Sequence, residues 1–492
     1  MSGTSSSYKN MVRSTAVFGG AQVIQMLIII LRAKFIAIFL GSEGMGLNAI
    51  FQSTIAVISS FSSFGIFQSA IRDISQSYEA DNKEKLGFTI SIFEKLVWFV
   101  AVLGLIVCLF GSYWLSILAF KNTDNVVYFV LLSLAVFFMA LSNGKMVLLQ
   151  GTRNLNYLAS ASLLGAVVSL VVSIPLFYFL EIKGIIISII VSPLLLYLSQ
   201  LYYSRKIELK QVDSVTINEI VKFGAPIFKL GLVLMFGMVM ITIFTYMTNI
   251  YIGRYGKIED VGLFQGVSSI TTQSISVVMA VLASDFFPRL SAVYHDRDQV
   301  KIMVNQQLEM VSLIIAPIIV VLIVFADVIV RILLSKEFLV IVPMLQWMAL
   351  SLLARGIWLT MSYIILANGD RKSYFIYDAL VGNGLLFVIN IAAYSIWGLQ
   401  GLGISFLIGS IIVSCILFIV VRFKYNFLFN IEFMKILSIL VISVLTSFLI
   451  STFFSGWYKY ALSAMVMICI FVYSFRILNQ RIGIFQMIKS KS

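Results

Sequence analysis

Fourteen long apolar stretches, parted by short polar connections, run through this chain: 12–40, 45–71, 87–110, 126–149, 157–180, 184–203, 221–250, 261–288, 307–330, 339–366, 373–396, 400–421, 433–454 and 457–475. Each is about 20 residues or longer, the length a helix needs to cross roughly 30 Å of hydrocarbon. Strict alternation of apolar and polar positions, the mark of a membrane β-barrel, is absent. The longest connections lie around 72–86, 205–220 and 289–306 and leave no room for a soluble domain. The pattern predicts an all-α polytopic membrane protein with about 14 transmembrane helices.

Composition narrows this further. Hydrophobic residues make up 60% of the chain, charged residues 12%, and the mean hydropathy is +1.01. An ordinary soluble protein is excluded. Met1–Lys9 is short and polar, and the first apolar stretch is too long for a signal-peptide core, so that stretch is expected to remain as a membrane span. The three cysteines, Cys108, Cys415 and Cys469, all fall inside spans. Neither a disulfide framework nor a metal site is expected, and no cofactor is predicted. The single histidine, His295, sits in a charged loop. Histidine-based catalysis has nothing to work with.

Charge sets the orientation. With the amino terminus in the cytoplasm, 22 of the 35 lysines and arginines fall on that side and nine on the other, while Lys95, Lys145, Lys229 and Arg355 lie within spans. The bias follows the positive-inside rule, and an even number of spans places both termini inside. The net charge of +13 is explained by topology and anionic headgroups, so no nucleic-acid partner is implied.

The pattern also repeats, at an offset of about 216 residues. Gly46-Leu-Asn-Ala-Ile-Phe-Gln52 is echoed by Gly262-Leu-Phe-Gln265, Glu94 by Glu309, Gly151-Thr-Arg153 by Gly369-Asp-Arg371, and Lys183-Gly-Ile185 by Gln400-Gly-Leu402. Recurring glycines and charges are harder to obtain by chance than recurring leucines. Spans 1–6 and 7–12 are even-numbered halves, so the halves should be related by an axis along the membrane normal, with a transport site where they face each other. The division expected is residues 1–205, a first six-helix lobe; 206–425, a second; and 426–492, two further helices with a basic tail.

Ionisable residues inside spans are costly and mark candidate sites. Arg355 lies near the middle of its span between Trp347 and Trp358, too deep to snorkel. Lys145 and Lys229 lie one to two turns from cytoplasmic span ends, where snorkelling is the competing account. Glu94 and Lys95 are adjacent and point in different directions, so Glu94 needs a partner such as Lys145 or Lys229. Glu94 is counted as the one clear buried carboxylate, and the buried balance is therefore cationic. Arg32 and Lys34 offer a second cationic station in the outer part of the first span. Asn48, Gln52, Gln68, Gln265 and Gln273 give two spans a polar surface suited to sugars, although small polar residues also pack helices together. Glu94 is also the candidate proton or sodium site.

Particular stretches resemble a known family. Lys34-Phe-Ile-Ala-Ile-Phe-Leu-Gly-Ser-Glu-Gly-Met-Gly-Leu47, Phe64-Gly-Ile-Phe67, Val261-Gly-Leu-Phe-Gln-Gly-Val-Ser-Ser-Ile270, Pro288-Arg-Leu-Ser291 and Leu333-Leu-Ser-Lys-Glu-Phe338 are similar to bacterial Wzx-type O-antigen and enterobacterial common antigen translocases. These belong to the multidrug/oligosaccharidyl-lipid/polysaccharide exporter superfamily. The resemblance implies two six-helix lobes around a V-shaped cavity in the bacterial inner membrane. It implies a flippase, not an enzyme, that moves undecaprenyl-diphosphate-linked oligosaccharide to the periplasmic leaflet, with a polysaccharide polymerase and a chain-length regulator as partners to look for. In that reading Arg355, Lys95, Lys145, Lys229, Arg32 and Lys34 meet the diphosphate, and the glutamines and Asn48 face the glycan. A multidrug/cation antiporter of the same superfamily is the nearest rival. A polymerase-type membrane enzyme is a weaker one, because the outer loops are too short to carry catalysis.

Overall fold

A computed structural model describes residues 2–79, 83–207 and 216–482, with side chains from Gly20 onward apart from a few positions. Among these residues every regular element is helical. In chain order the helices are α1 (Ser2–Phe39), α2 (Gly41–Ser62), α3 (Ile66–Glu79), α4 (Lys83–Phe120), α5 (Val126–Gly151), α6 (Leu155–Ser204), α7 (Ile217–Tyr255), α8 (Ile258–Ala292), α9 (Arg297–Val324), α10 (Ala326–Leu333), α11 (Val342–Ala367), α12 (Arg371–Ser373), α13 (Asn383–Tyr425), α14 (Ile431–Phe453) and α15 (Gly456–Ile482). A 3₁₀ segment, Lys336–Ile341, leads into α11, and a π-helical segment, Tyr374–Gly382, joins α12 to α13.

Among the described residues, eleven helical stretches are long and apolar enough to cross a membrane. Two of them are too long to cross once. At 50 residues α6 would reach about 75 Å if straight, more than twice the hydrocarbon thickness. It turns back at Glu181 (φ 48°), and Ser173 comes within 2.8 Å of Ser188, a separation no single helix allows fifteen residues apart. The same device recurs in α13, where Gly398 has φ 57° and Ser405 donates to Asn390 at 2.6 Å. Each helix is therefore a hairpin of two limbs. The turning residues, Glu181 and Gly398, lie 217 positions apart. Each turn is followed three residues later by a glycine, Gly184 or Gly401, whose Cα sits against the returning backbone. A Cβ there would come within 2.0 Å of the Leu176 carbonyl oxygen or 2.1 Å of that of Ala393. The paired glycines of the sequence repeat are paired because each closes a hairpin.

The turn before each hairpin repeats as well. Arg153 and Gly369 both have positive φ, and the amides of Asn154 and Asp370 each reach back five residues, to Leu149 and Ile365. Asn154 and Asp370 are the N-cap residues of the helices that follow.

The chain forms two compact units, Met1–Gly262 and Leu263–Ser492. In the first, α3, α4, α5 and α7 share a core around Phe93, Val97, Leu148 and Ile227. In the second, α8, α9, α11, α13 and α14 meet around Leu308, Trp358, Met361, Leu417 and Phe433. With lipid outside, the specificity of these cores comes from close fit and small residues rather than from exclusion of water. The first unit contains one such fit between α2 and the first turn of α8. A Cβ on Gly46 would lie 2.0 Å from the Ile258 carbonyl oxygen, and a Cβ on Gly262 1.9 Å from that of Ser42. The contact is reciprocal at an offset of 216, so the echoed glycines pack backbone on backbone.

The last two helices are built into the second unit. The apolar stretch of α9 is 78% buried, against 17% for α15, and it is α14 and α15 that help to enclose α9. Polar ties pin the pair at both ends. Arg481 meets Glu309 and Glu432 at one end; at the other, Tyr460 donates to Asp327 at 2.9 Å and Lys459 lies 3.5 Å from it.

Candidate functional site

In the first unit the chain breaks between α2 and α3, where Phe64 and Gly65 both have positive φ. The break opens a cavity of about 200 Å³ lined by Ser59, Ser60, Ser63, Gln68, Asn143 and Met238, among others. Gln68 Nε2 donates to Met238 Sδ at 3.2 Å, and Ser63 returns its hydroxyl to the Ser60 carbonyl. Of the residues expected to face a glycan, Gln68 is in this cavity. Asn143 joins it from α5. Gln52 is exposed and Asn48 half-buried on α2, while Gln265 and Gln273 are half-buried on α8.

Glu94 finds its partner in Lys145, with Nζ 2.5 Å from Oε1. The lysine side chain is 21% exposed and the carboxylate 45%. Glu94 is thus more open than expected, and Lys145 is partly neutralised. Lys95, next along the helix, points into an exposed position. The side chain of Lys229 lies outside the described residues. Arg32 donates through Nη2 to Ser188 at 2.8 Å, and Ser188 is in turn bonded to Ser173. That serine pair belongs to the α6 hairpin, so α1 is tied to the turn-back through a cation and two hydroxyls. Lys34 is half-buried.

In the second unit Arg355 is half-buried in the middle of α11, and among the described residues no carboxylate pairs with it. The tryptophans on either side of it in sequence are occupied elsewhere. Trp347 packs on Phe448 of α14, with centroids 4.7 Å apart. Trp358 donates Nε1 to Asp378 at 2.5 Å, and Ser362, one turn on, donates to the same oxygen at 2.6 Å.

Asp378 corrects the count of buried carboxylates. Glu94 was expected to be the one clear case, yet Asp378 is 6% exposed and Glu309 3% exposed. Asp378 lies on the π-helical segment, a geometry that often accompanies functional positions because it offsets the helical register by one residue. Its position inside the stretch 373–396 was a signal in the sequence. Glu309 is held by Arg481 at 3.3 Å. Glu94 and Glu309 thus echo each other and are neutralised differently: one by its own lobe, the other by the added helix pair.

At the end of α11 the carboxylate of Asp370 accepts from the Ser373 amide at 3.0 Å, Lys424 Nζ at 3.0 Å and the Tyr425 hydroxyl at 2.9 Å. Lys424 also donates to Ser373 Oγ. The backbone N–H of Ser373, helped by Lys424 and Tyr425, holds the Asp370 carboxyl well below the usual carboxylate range.

Two units of long apolar helices, with cations set within their spans and a cavity in the first lined in part by serines, Gln68 and Asn143, define a multispan membrane protein. The chain belongs to the family described as "Polysaccharide biosynthesis protein", which matches residues 35–343, a flippase family of the multidrug/oligosaccharidyl-lipid/polysaccharide exporter superfamily. No curated protein sequence matches it. Among solved structures, the lipid II flippase MurJ in an inward closed conformation is similar at 18% identity and a TM-score of 0.68, covering 95% of this chain and 99% of that one. An inward-facing multidrug resistance MATE family transporter is similar at 17% identity and a TM-score of 0.68, covering 82% and 94%. A superfamily transporter from Pyrococcus furiosus is similar at 16% identity and a TM-score of 0.56, covering 84% and 95%. At these identities the likeness is one of fold.

Proposed function

We propose that the protein is a flippase for a lipid-diphosphate-linked oligosaccharide, moved by alternating access from the cytoplasmic to the outer leaflet of the bacterial cytoplasmic membrane. The observation that carries this reading is Arg355, a cation half-buried at mid-helix with no carboxylate paired to it among the described residues. An ion moved into low dielectric costs several kcal/mol unless it is met by opposite charge. A diphosphate supplies that charge, and a guanidinium can hold two of its oxygens at once. Lys95 and Lys229 serve as further cations. Lys145 takes part by exchanging Glu94 for the anion, which links binding to release of a carboxylate that can then take up a proton or sodium ion. Gln68 and Asn143, with Gln52, Asn48, Gln265 and Gln273, meet the sugars. An inside-negative potential assists outward movement of the anion by about 2.3 kcal/mol per charge per 100 mV.

Arg355→Gln should abolish surface glycan and leave lipid-linked precursor in the inner leaflet, with the protein still inserted. Arg355→Lys should keep part of the activity, since a point charge retains the Coulomb term. Normal transport by Arg355→Gln overturns the reading.

A cation-coupled antiporter is the second reading, and Asp378 favours it: a buried carboxylate served by neutral donors is a natural coupling-ion position. Asp378→Asn would then abolish drug export in cells, with surface glycan unchanged.

A further inference from the structure

On the first unit an apolar groove of about 410 Å³ lies between α2, α4 and α7, lined by Ile58, Val107, Trp114, Leu118 and Arg254 with their neighbours. From Val107 to Leu118 the groove follows α4 through a rise of about 16 Å, at 1.5 Å per residue. That is roughly half of a 30 Å hydrocarbon core, the depth of one leaflet. Tyr113, Trp114 and Tyr255 stand exposed near the Arg254 end, at 52%, 68% and 71%. Aromatic residues of this kind sit at headgroup level. The groove therefore starts at the headgroups and ends near the bilayer centre.

Its shallow end is cationic. Arg254 lines the groove and donates Nη2 to the Ile117 carbonyl at 2.7 Å, which fixes the guanidinium there. Lys121 stands beside it, with Nζ 2.8 Å from the Arg254 carbonyl oxygen and 5.3 Å from the Tyr255 ring centroid. Among the described residues neither cation is in an ion pair. Two cations at the lip of an apolar groove, with no carboxylate paired to them, attract an anion from the headgroup layer. One end of the site asks for an anion with oxygen acceptors, and the rest for a single hydrocarbon chain.

We propose that this groove binds an acidic phospholipid, with its phosphate on Arg254 and Lys121 and one acyl chain laid along α4. By the charge distribution this is the outer leaflet, since Lys121 and Arg254 lie at the end opposite the basic loops. The lipid would join α4 to the end of α7. The inference does not depend on which substrate the protein carries.

The test uses the full-length protein in detergent, with retained lipid counted by native mass spectrometry after addition of phosphatidylglycerol or phosphatidylcholine of equal chain length. The wild type should retain phosphatidylglycerol at least five-fold over phosphatidylcholine, and Arg254→Gln with Lys121→Gln should bring that ratio close to one. Should that variant fail to fold, Val107→Trp, which fills the deep end and leaves both cations in place, should displace the lipid, and Arg254→Lys should keep a reduced preference. Inorganic phosphate at millimolar concentration should not compete, because the chain supplies much of the affinity. Equal retention of the two lipids by the wild type overturns the proposal, as does an unchanged ratio in the glutamine variant. Displacement of phosphatidylglycerol by undecaprenyl phosphate at lower concentration overturns it too, by giving the groove to a polyprenyl ligand.

Discussion

Asp370 shows how much one side chain can organise at a helix junction. Its carboxylate receives an amide, an ammonium and a phenol, and joins the start of α12 to the end of α13. Because its folded pKa is depressed, it contributes stability that is present above the ordinary carboxylate value of about 3.9 and is lost as pH falls through the folded value. In thermal unfolding of the detergent-solubilised protein, Asp370→Asn should melt below the wild type at pH 7. The gap should narrow as the pH is taken below about 4. A gap that stays constant with pH would mean the side chain acts through shape, not charge. The repeat identified Gly369-Asp370-Arg371 as punctuation, but the contact with Lys424 needed the fold, since fifty-four residues separate the partners.

Among elements, the α14–α15 pair was the least legible. The sequence marked two helices without counterparts in the repeat and could assign them no role. Their tie to α9 through Arg481 and Glu309 explains why Glu309 survives 3% exposed inside a helix core. Removing Arg481 leaves that carboxylate without its cation, whereas removing both charges leaves a neutral amide in its place, which is far less costly to bury than an unpaired charge. Arg481→Gln should cost about 1–3 kcal/mol, toward the low end because Arg481 is half exposed. The double variant with Glu309→Gln should recover much of the loss. A double variant as unstable as the single one, by thermal unfolding, would remove the pair from any structural role. The hairpins of α6 and α13 were better announced, as two apolar stretches each, although the glycine contacts that close them were visible only as echoes.

For the whole molecule the testable quantity is sidedness. In a background lacking Cys108, Cys415 and Cys469, cysteines placed at Lys206 and Lys424 should react with an impermeant maleimide only from the cytoplasm. Those at Lys121, Lys257 and Lys459 should react only from outside. Equal labelling of Lys121 and Lys206 from one side would dismantle the fourteen-span topology, because α4 to α6 would no longer cross as read.

Sequence alone determined the class, the helical content, the repeat and the places where the chain turns, because these follow from local rules. An apolar run of about 20 residues must be helical in lipid, and a glycine at a turn is a local demand. It also singled out Arg355 and Lys145, since a charge in an apolar run is conspicuous wherever it later points. Tertiary structure decided which charges are neutralised. Glu94 with Lys145, Glu309 with Arg481 and Asp378 with Trp358 and Ser362 are pairings across helices. Partner choice depends on how those helices are rotated and stacked, and packing sets this rather than the order of residues. It is for this reason that Glu94, expected to be buried, proved half open, while Asp378 and Glu309, the latter known only as the echo of Glu94, lie in the core.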